Sequence, residues 1–352
     1  MYKLKKILHS TTTKIVSIVL LLAFLGSIFL YFDFYKRQIN KIRGYYWVYQ
    51  GDRAYKKLDL QKAVNCYEHA IKLHPKHYRA MYNLANIYVV YEDYYSALKN
   101  YEKALEIKPE FEVARIDYAI ILSQTYEIDR AIEEYQKVIE NKPGFIKIPF
   151  LVDSKKSYKH NRGVAYYNMG LAYRTKSMMA GLNSTIKRAY LKKASSSYEK
   201  ATEILNSYNS NYNLGLIHQL LKNPMQAGYY YCKAMELSPL EYESHFNLAV
   251  LLNDMKEYEG ASSEFKKAGL LLDSIGDNTK TTYIYNVLSN VNQKIAINAT
   301  NDYYKKIKEK EEEASSRQKY KAGKLVLDDS SDEELIENFS ICANKELFMG
   351  DM

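Results

Sequence analysis

The sequence predicts an all-α solenoid of about six helical hairpins with a C-terminal capping helix, preceded by one transmembrane helix. Two observations predict the solenoid and a third the membrane helix. Small residues recur every 34 positions at Ala63, Ala97 and Ala131, each followed in the same register by an aromatic, Tyr67, Tyr101 and Tyr135. Prolines repeat with the same period at Pro75, Pro109 and Pro143. A fixed period of this length marks stacked units, none of which can bury its apolar face alone. Ahead of them, Ile15 to Phe32 form 18 uncharged residues, 13 of them Ile, Val, Leu or Phe.

The N-terminal elements follow from charge and hydropathy. Residues 1–14 are a basic tail and 15–34 the membrane anchor. At the usual transfer values the apolar residues favour insertion by roughly 4 to 8 kcal/mol. Tyr31, Phe32 and Tyr35 suit the interfacial aromatic belt. No A-x-A-like site follows the apolar run, so an uncleaved anchor is expected rather than a signal peptide. Lys3, Lys5, Lys6 and Lys14 before the span balance Lys36, Arg37, Lys41 and Arg43 after it. The positive-inside rule is therefore tied, and the short N-terminal tail is expected on the cytoplasmic side of a bacterial inner membrane.

The repeats come next. The first copy carries Trp47 and Gly51 on its first helix (helix A), then Ala63, Tyr67, Ala70 and Pro75 across its second (helix B). The second carries Leu84-Ala85, Tyr88, Ala97, Tyr101, Ala104 and Pro109. These residues and their spacing resemble the tetratricopeptide repeat (TPR) family over roughly residues 44 to 273. Repeats 1–3 fill 44–143, and 144–162 is read as an inter-repeat loop. Repeats 4–6 fill 163–273, with an insertion around 175–188, because Ala194, Tyr198 and Ala201 arrive 12 residues late. Gly and Ala let helices A and B approach, aromatics fill the gaps, and proline ends helix B because it lacks an N–H donor. Beyond the repeats, 279–297 reads as a capping helix with Tyr283, Val287, Leu288, Val291 and Ile295 on its apolar face. A charged helical extension (298–324) and an acidic amphipathic tail (325–352) complete the chain.

Charge is segregated by segment. Residues 1–43 hold eight Lys/Arg against one Asp, and residues 325–352 hold eight Asp/Glu against one Lys, within a net charge of +9. No basic stripe with interleaved aromatics is present, so no nucleic-acid partner is expected. Cys66, Cys232 and Cys342 are isolated, which supports neither a disulfide framework nor a zinc site and leaves small structural hydrophobes as the reading. Gly-rich phosphate loops, H-E-x-x-H and G-x-S-x-G motifs are missing. The sequence therefore predicts no catalytic residue, no cofactor and no metal.

Binding is the expected activity. The TPR resemblance implies that the inner face of helix A lines a concave groove. One groove position holds Tyr82, Tyr167, Tyr212 and Phe246, and the next holds Asn83, Asn168, Asn213 and Asn247. Rings offer apolar area, and amides can hydrogen-bond an extended peptide or a helix, although the same residues also suit packing between repeats. The family's chaperone-binding carboxylate clamp is not matched. Asp52 replaces one expected Asn, and Val113 and Asp117 stand in the third-repeat Lys and Arg places, where an acid would repel a carboxylate. An anchor helix joined to a repeat array resembles envelope assembly factors and collar subunits of spirochaete flagellar motors. That likeness implies a non-catalytic membrane-anchored scaffold of an envelope complex, a motor- or collar-type machine included. The alternative is a chaperone-like adaptor or targeting receptor that holds client peptides in the groove.

Overall fold

The computed structural model describes residues 2–141, 154–179 and 181–317. The acidic tail (325–352), the end of the charged extension and most of the 144–162 loop lie outside the described residues. Among those described there are thirteen helices and no strand. The chain divides into two compact units, residues 1–134 and 135–352.

The first unit opens with α1 (Tyr2–Lys56), in which the apolar span and helix A of repeat 1 are one continuous helix. No proline or positive-φ glycine interrupts it, so the backbone ladder runs through. From Val19 the helix is long and apolar enough to cross a membrane, and none of its apolar window is buried within the chain. Then follow α2 (Leu60–Leu73), α3 (Tyr78–Val90), α4 (Tyr94–Ile107), α5 (Glu112–Gln124) and α6 (Ile128–Glu140), the last crossing the boundary between units. Their core gathers Ala63, Tyr67, Ala70, Ala80, Leu84 and Ile87 under the half-buried Trp47.

The second unit holds α7 (Ser154–Met178), α8 (Ser184–Leu205), α9 (Tyr208–Leu220), α10 (Pro224–Leu237), α11 (Tyr242–Asp254), α12 (Tyr258–Ser274) and α13 (Asn278–Arg317). Two sequence expectations are corrected here. Residues 154–162, read as loop, are the first turns of α7, because past Pro149 nothing breaks a helix before Gly163, itself a helical residue packed on Leu205. The separate segments 279–297 and 298–324 form a single helix through Arg317, with no Gly or Pro between them to stop it. On α13 the core-facing residues are Ile284 and Val291, with Val287, Leu288 and Ile295 beside them, whereas Tyr283 is exposed. The extra residues after repeat 4's helix-A signature lengthen α7, which runs to Met178, and α8, which begins at Ser184.

One contact recurs in every repeat. Ala63, Ala97, Ala131, Ala194, Ala227 and Ala261, with Tyr67, Tyr101, Tyr135, Tyr198, Tyr231 and Phe265, expose no more than 2% of their surface. Across from them on helix A sits Gly or Ala. A Cβ on Gly51 would lie 2.5 Å from Tyr67 Cε1, and one on Gly215 would lie 2.7 Å from Tyr231 Cδ1. Cys66 is a free, buried thiol as expected, and Cys232 is buried in the core of the second unit.

The turns inside the hairpins share one geometry. Leu58, Glu92, Tyr126, Lys222 and Lys256 all have positive φ, between 60° and 68°, with Gly276 at 76° in the last turn. At each, the following N–H bonds back to the carbonyl five residues earlier, as in Asp93 N to Tyr88 O at 2.9 Å and Glu257 N to Leu252 O at 2.8 Å. This is a Schellman motif with an L side chain where glycine is favoured. Asp59, Asp93 and Asp277 then cap the next helix through their carboxylates.

Glu92→Gly and Lys256→Gly should each raise stability by about 0.5–1 kcal/mol, since relief of left-handed strain exceeds the entropy cost of glycine. A higher urea midpoint at unchanged slope would verify this. A second expectation concerns acid. Burial holds His77 and His218 below their ordinary value of 6.5, and the neutral His77 ring caps α3 by accepting the Ala80 N–H. The unfolded chain binds more protons than the folded one below that value, so stability should fall as pH drops beneath 6.5 and through the lower folded values. His77→Asn keeps a capping acceptor and should flatten the pH slope of the melting temperature.

Candidate functional site

The eight groove residues occupy adjacent positions on the A helices: Tyr82-Asn83 on α3, Tyr167-Asn168 on α7, Tyr212-Asn213 on α9 and Phe246-Asn247 on α11. Their position follows from the repeat. The helix-A residues that meet helix B, such as Ala85 and Gly215, lie three positions beyond the aromatic, on the same side of the helix by helical spacing. The aromatic is thereby drawn partly into the core and partly out. All eight are half-buried except Asn213, which is buried.

In the first unit the Tyr82 hydroxyl donates to Asp117 Oδ2 on α5 at 2.8 Å. Asn83 Nδ2 donates to Asp52 Oδ1 on α1 at 2.9 Å, and Tyr67 donates to the same oxygen at 2.7 Å. Phe111 packs edge-on against Tyr82 with ring centroids 5.0 Å apart. Burial raises the Asp117 carboxyl above the ordinary carboxylate range, and the Tyr82 hydrogen bond only partly offsets it. Burial, with Asp117 nearby, pushes the Tyr82 hydroxyl up to about 12.

In the second unit Asn213 Nδ2 donates to Tyr167 Oη at 3.2 Å, and Arg174 Nη1 donates to Asn213 Oδ1 at 2.7 Å. Asn247 Nδ2 donates to Tyr212 Oη at 2.8 Å, while Tyr208 stacks on Tyr212 at 5.6 Å. Phe246 contacts Phe265 below it and Tyr283 beside it. Asn168 donates within its own helix, to the Val164 carbonyl at 3.0 Å.

A rule emerges that single positions conceal. The tyrosine of one repeat bonds the polar residue that follows the groove aromatic position in the next: Tyr82 to Asp117, Tyr167 to Asn213, Tyr212 to Asn247. Asp117 stands 34 residues after Asn83, so the register contained this signal. Arg174 carried none, and Asp52 stood out only as the acid at an expected Asn place. Two of these three rungs use amide N–H groups that the sequence offered to a ligand, and in the third the Tyr82 hydroxyl donates. Among the described residues no cluster of His, Cys, Asp or Glu is placed to hold a metal ion.

Residues 78–111, which contain α3 and α4, match the sequence profile of the tetratricopeptide repeat. This segment is a tetratricopeptide repeat. The TPR fold extends well beyond that copy. Pseudomonas aeruginosa PilF is similar in structure at a TM-score of 0.52 and 13% identity, over 71% of this chain and 98% of that one. PilW, described as a widely conserved type IV pilus biogenesis factor, is similar at 0.51 and 15%, over 69% and 98%. No curated protein matches in sequence.

The rungs give a ranking. Asn213→Ala, which unmakes bonds to Tyr167 and Arg174 in a buried site, should cost most, about 1–3 kcal/mol. Asn247→Ala should cost about 1 kcal/mol, and Asn168→Ala least, since it trades an own-helix bond for a better helix former. Urea denaturation of the three variants reads the order directly.

Proposed function

We propose that this chain is a non-catalytic, membrane-anchored scaffold that assembles or stabilises an envelope complex by binding protein partners on the helix-A face of its repeats. The observation that carries this reading is α1, in which the exposed apolar span and the first helix of the repeats are one piece. An unburied apolar run of this length is costly in water and favourable in a bilayer. The partner surface is formed by Tyr82, Asn83, Tyr167, Asn168, Tyr212, Phe246 and Asn247, over the buried Asn213. Aromatic residues fixed by hydrogen bonds lose little entropy on contact, which favours them as anchors. Residues 15–34 cross the membrane, with the N-terminus cytoplasmic and the repeats on the far side. The fold likeness to PilW, a pilus biogenesis factor, supports a role in assembling an envelope machine and leaves the machine open.

Full-length protein should remain with membranes after alkaline carbonate washing, and protease reaching the extracytoplasmic side should digest the repeats. A photo-crosslinking amino acid at Tyr82 or Phe246 should capture a stoichiometric partner, which the same group at exposed Tyr95 does not. Carbonate release, protection of the repeats until lysis, or equal capture at all three positions would each count against the corresponding part of the reading.

A further inference from the structure

A pocket of about 310 Å³ opens between α9, α11 and α13 in the second unit. Four aromatic rings border it: Tyr212 from α9, Tyr242 and Phe246 from α11, and Tyr283 from α13. Glu243 also lines it, and its Oε2 is buried with no hydrogen-bond partner among the described residues. Leaving an acceptor so is costly, and more so when it is charged. Lys280 lines the pocket as well, but its ammonium is already committed. Lys280 Nζ lies 3.1 Å from Asp277 Oδ2 and 5.5 Å from the Tyr242 ring centroid, at the exposed edge of the pocket. The Glu243 charge is felt by its neighbours, since after burial it is a cause of the raised hydroxyls of Tyr208 and Tyr212.

Aromatic faces carry negative quadrupoles, and several around one point attract a cation stripped of water. A carboxylate oxygen without a hydrogen-bond partner at the same point favours a cationic guest and supplies an acceptor for it. The exposed Tyr283 ring leaves the pocket open to a side chain arriving from outside. We infer that this pocket receives a lysine or arginine side chain of the protein that binds the repeats, held between the rings and paired with Glu243. The inference deepens the scaffold reading and rests on it for the guest's source. The chemistry of the pocket can be tested without the partner.

The test uses the full-length chain in phosphatidylcholine nanodiscs, with empty nanodiscs as blank. Saturation-transfer NMR follows N-acetylarginine amide and N-acetyllysine amide against the neutral N-acetylcitrulline amide. Saturable transfer to at least one basic probe, weak or missing for citrulline, is expected. Glu243→Gln and Tyr283→Ala should each weaken it about tenfold, and Glu236→Gln, at an exposed position of α10, should leave it unchanged. Tyr283 is exposed, so its variant stays informative even if Glu243→Gln disturbs folding, which a circular-dichroism melt reports. No saturable binding, citrulline binding equal to arginine, or retention of binding in both pocket variants would overturn the assignment. Should arginine bind while Tyr82 and Phe246 capture no partner, the pocket stands and the scaffold reading falls. Capture without arginine binding gives the converse.

Discussion

The close seating of one aromatic ring over one missing or minimal side chain governs this protein. In each hairpin a tyrosine or phenylalanine of helix B lies against glycine or alanine of helix A, and at Gly51 and Gly215 even one added carbon would meet the ring. Burying such a ring removes about 150–250 Å² from water, worth roughly 4–6 kcal/mol before conformational entropy is charged against it. The interhelical distance is set at this point, and with it the angle at which each A helix presents its other face. The Tyr-to-Asn and Tyr-to-Asp rungs form only because successive A helices are held at hydrogen-bonding separation. A larger residue at Gly215 would act first on hairpin packing and then, through it, on the Tyr212 and Asn213 contacts.

The repeat register was legible because its residues do one job each. Alanine at 63, 97 or 131 has no role beyond permitting approach, so its spacing survives as a plain pattern. The intrahairpin turns were not legible, because Leu58, Glu92, Tyr126, Lys222 and Lys256 adopt a left-handed conformation that sequence rules assign to glycine. Here the two Schellman hydrogen bonds and the packing of both flanking helices impose the conformation against local preference. On α13 the expected core residue Tyr283 and the buried Ile284 are neighbours, and an apolar pattern one residue out of phase exchanges them. The continuity of α1 escaped for a simpler reason. Hydropathy marks where a span ends, but it carries no information on whether the helix does.

The candidate surface was legible as a set of positions and not as a set of bonds. Sequence alone offered the asparagine amides as ligand donors, whereas Asn83, Asn213 and Asn247 each donate to a neighbouring repeat. Their partners Asp52 and Tyr167 sit 31 and 46 residues away, intervals that depart from the 34-residue period. What remains outward is ring area held by these bonds, and beside it lies the partly buried Glu243, which no repeat rule would have selected. Specificity in such a surface resides in the departures from the repeat.

The unbroken α1 has a mechanical consequence. With residues 15–34 in a bilayer, the stretch from Phe34 to Gly44 is a rigid spacer of about 15 Å, so the first repeat stands at a set height above the lipid. Its azimuth is set as well, since each residue of an α-helix turns the chain by about 100°. A single residue inserted near Gln38 would swing the binding face by more than a right angle while lifting it by only about 1.5 Å. Length and bearing are thus coupled in this strut, and an evolutionary change in its length would have to come in whole helical turns to keep the same face toward the same neighbour.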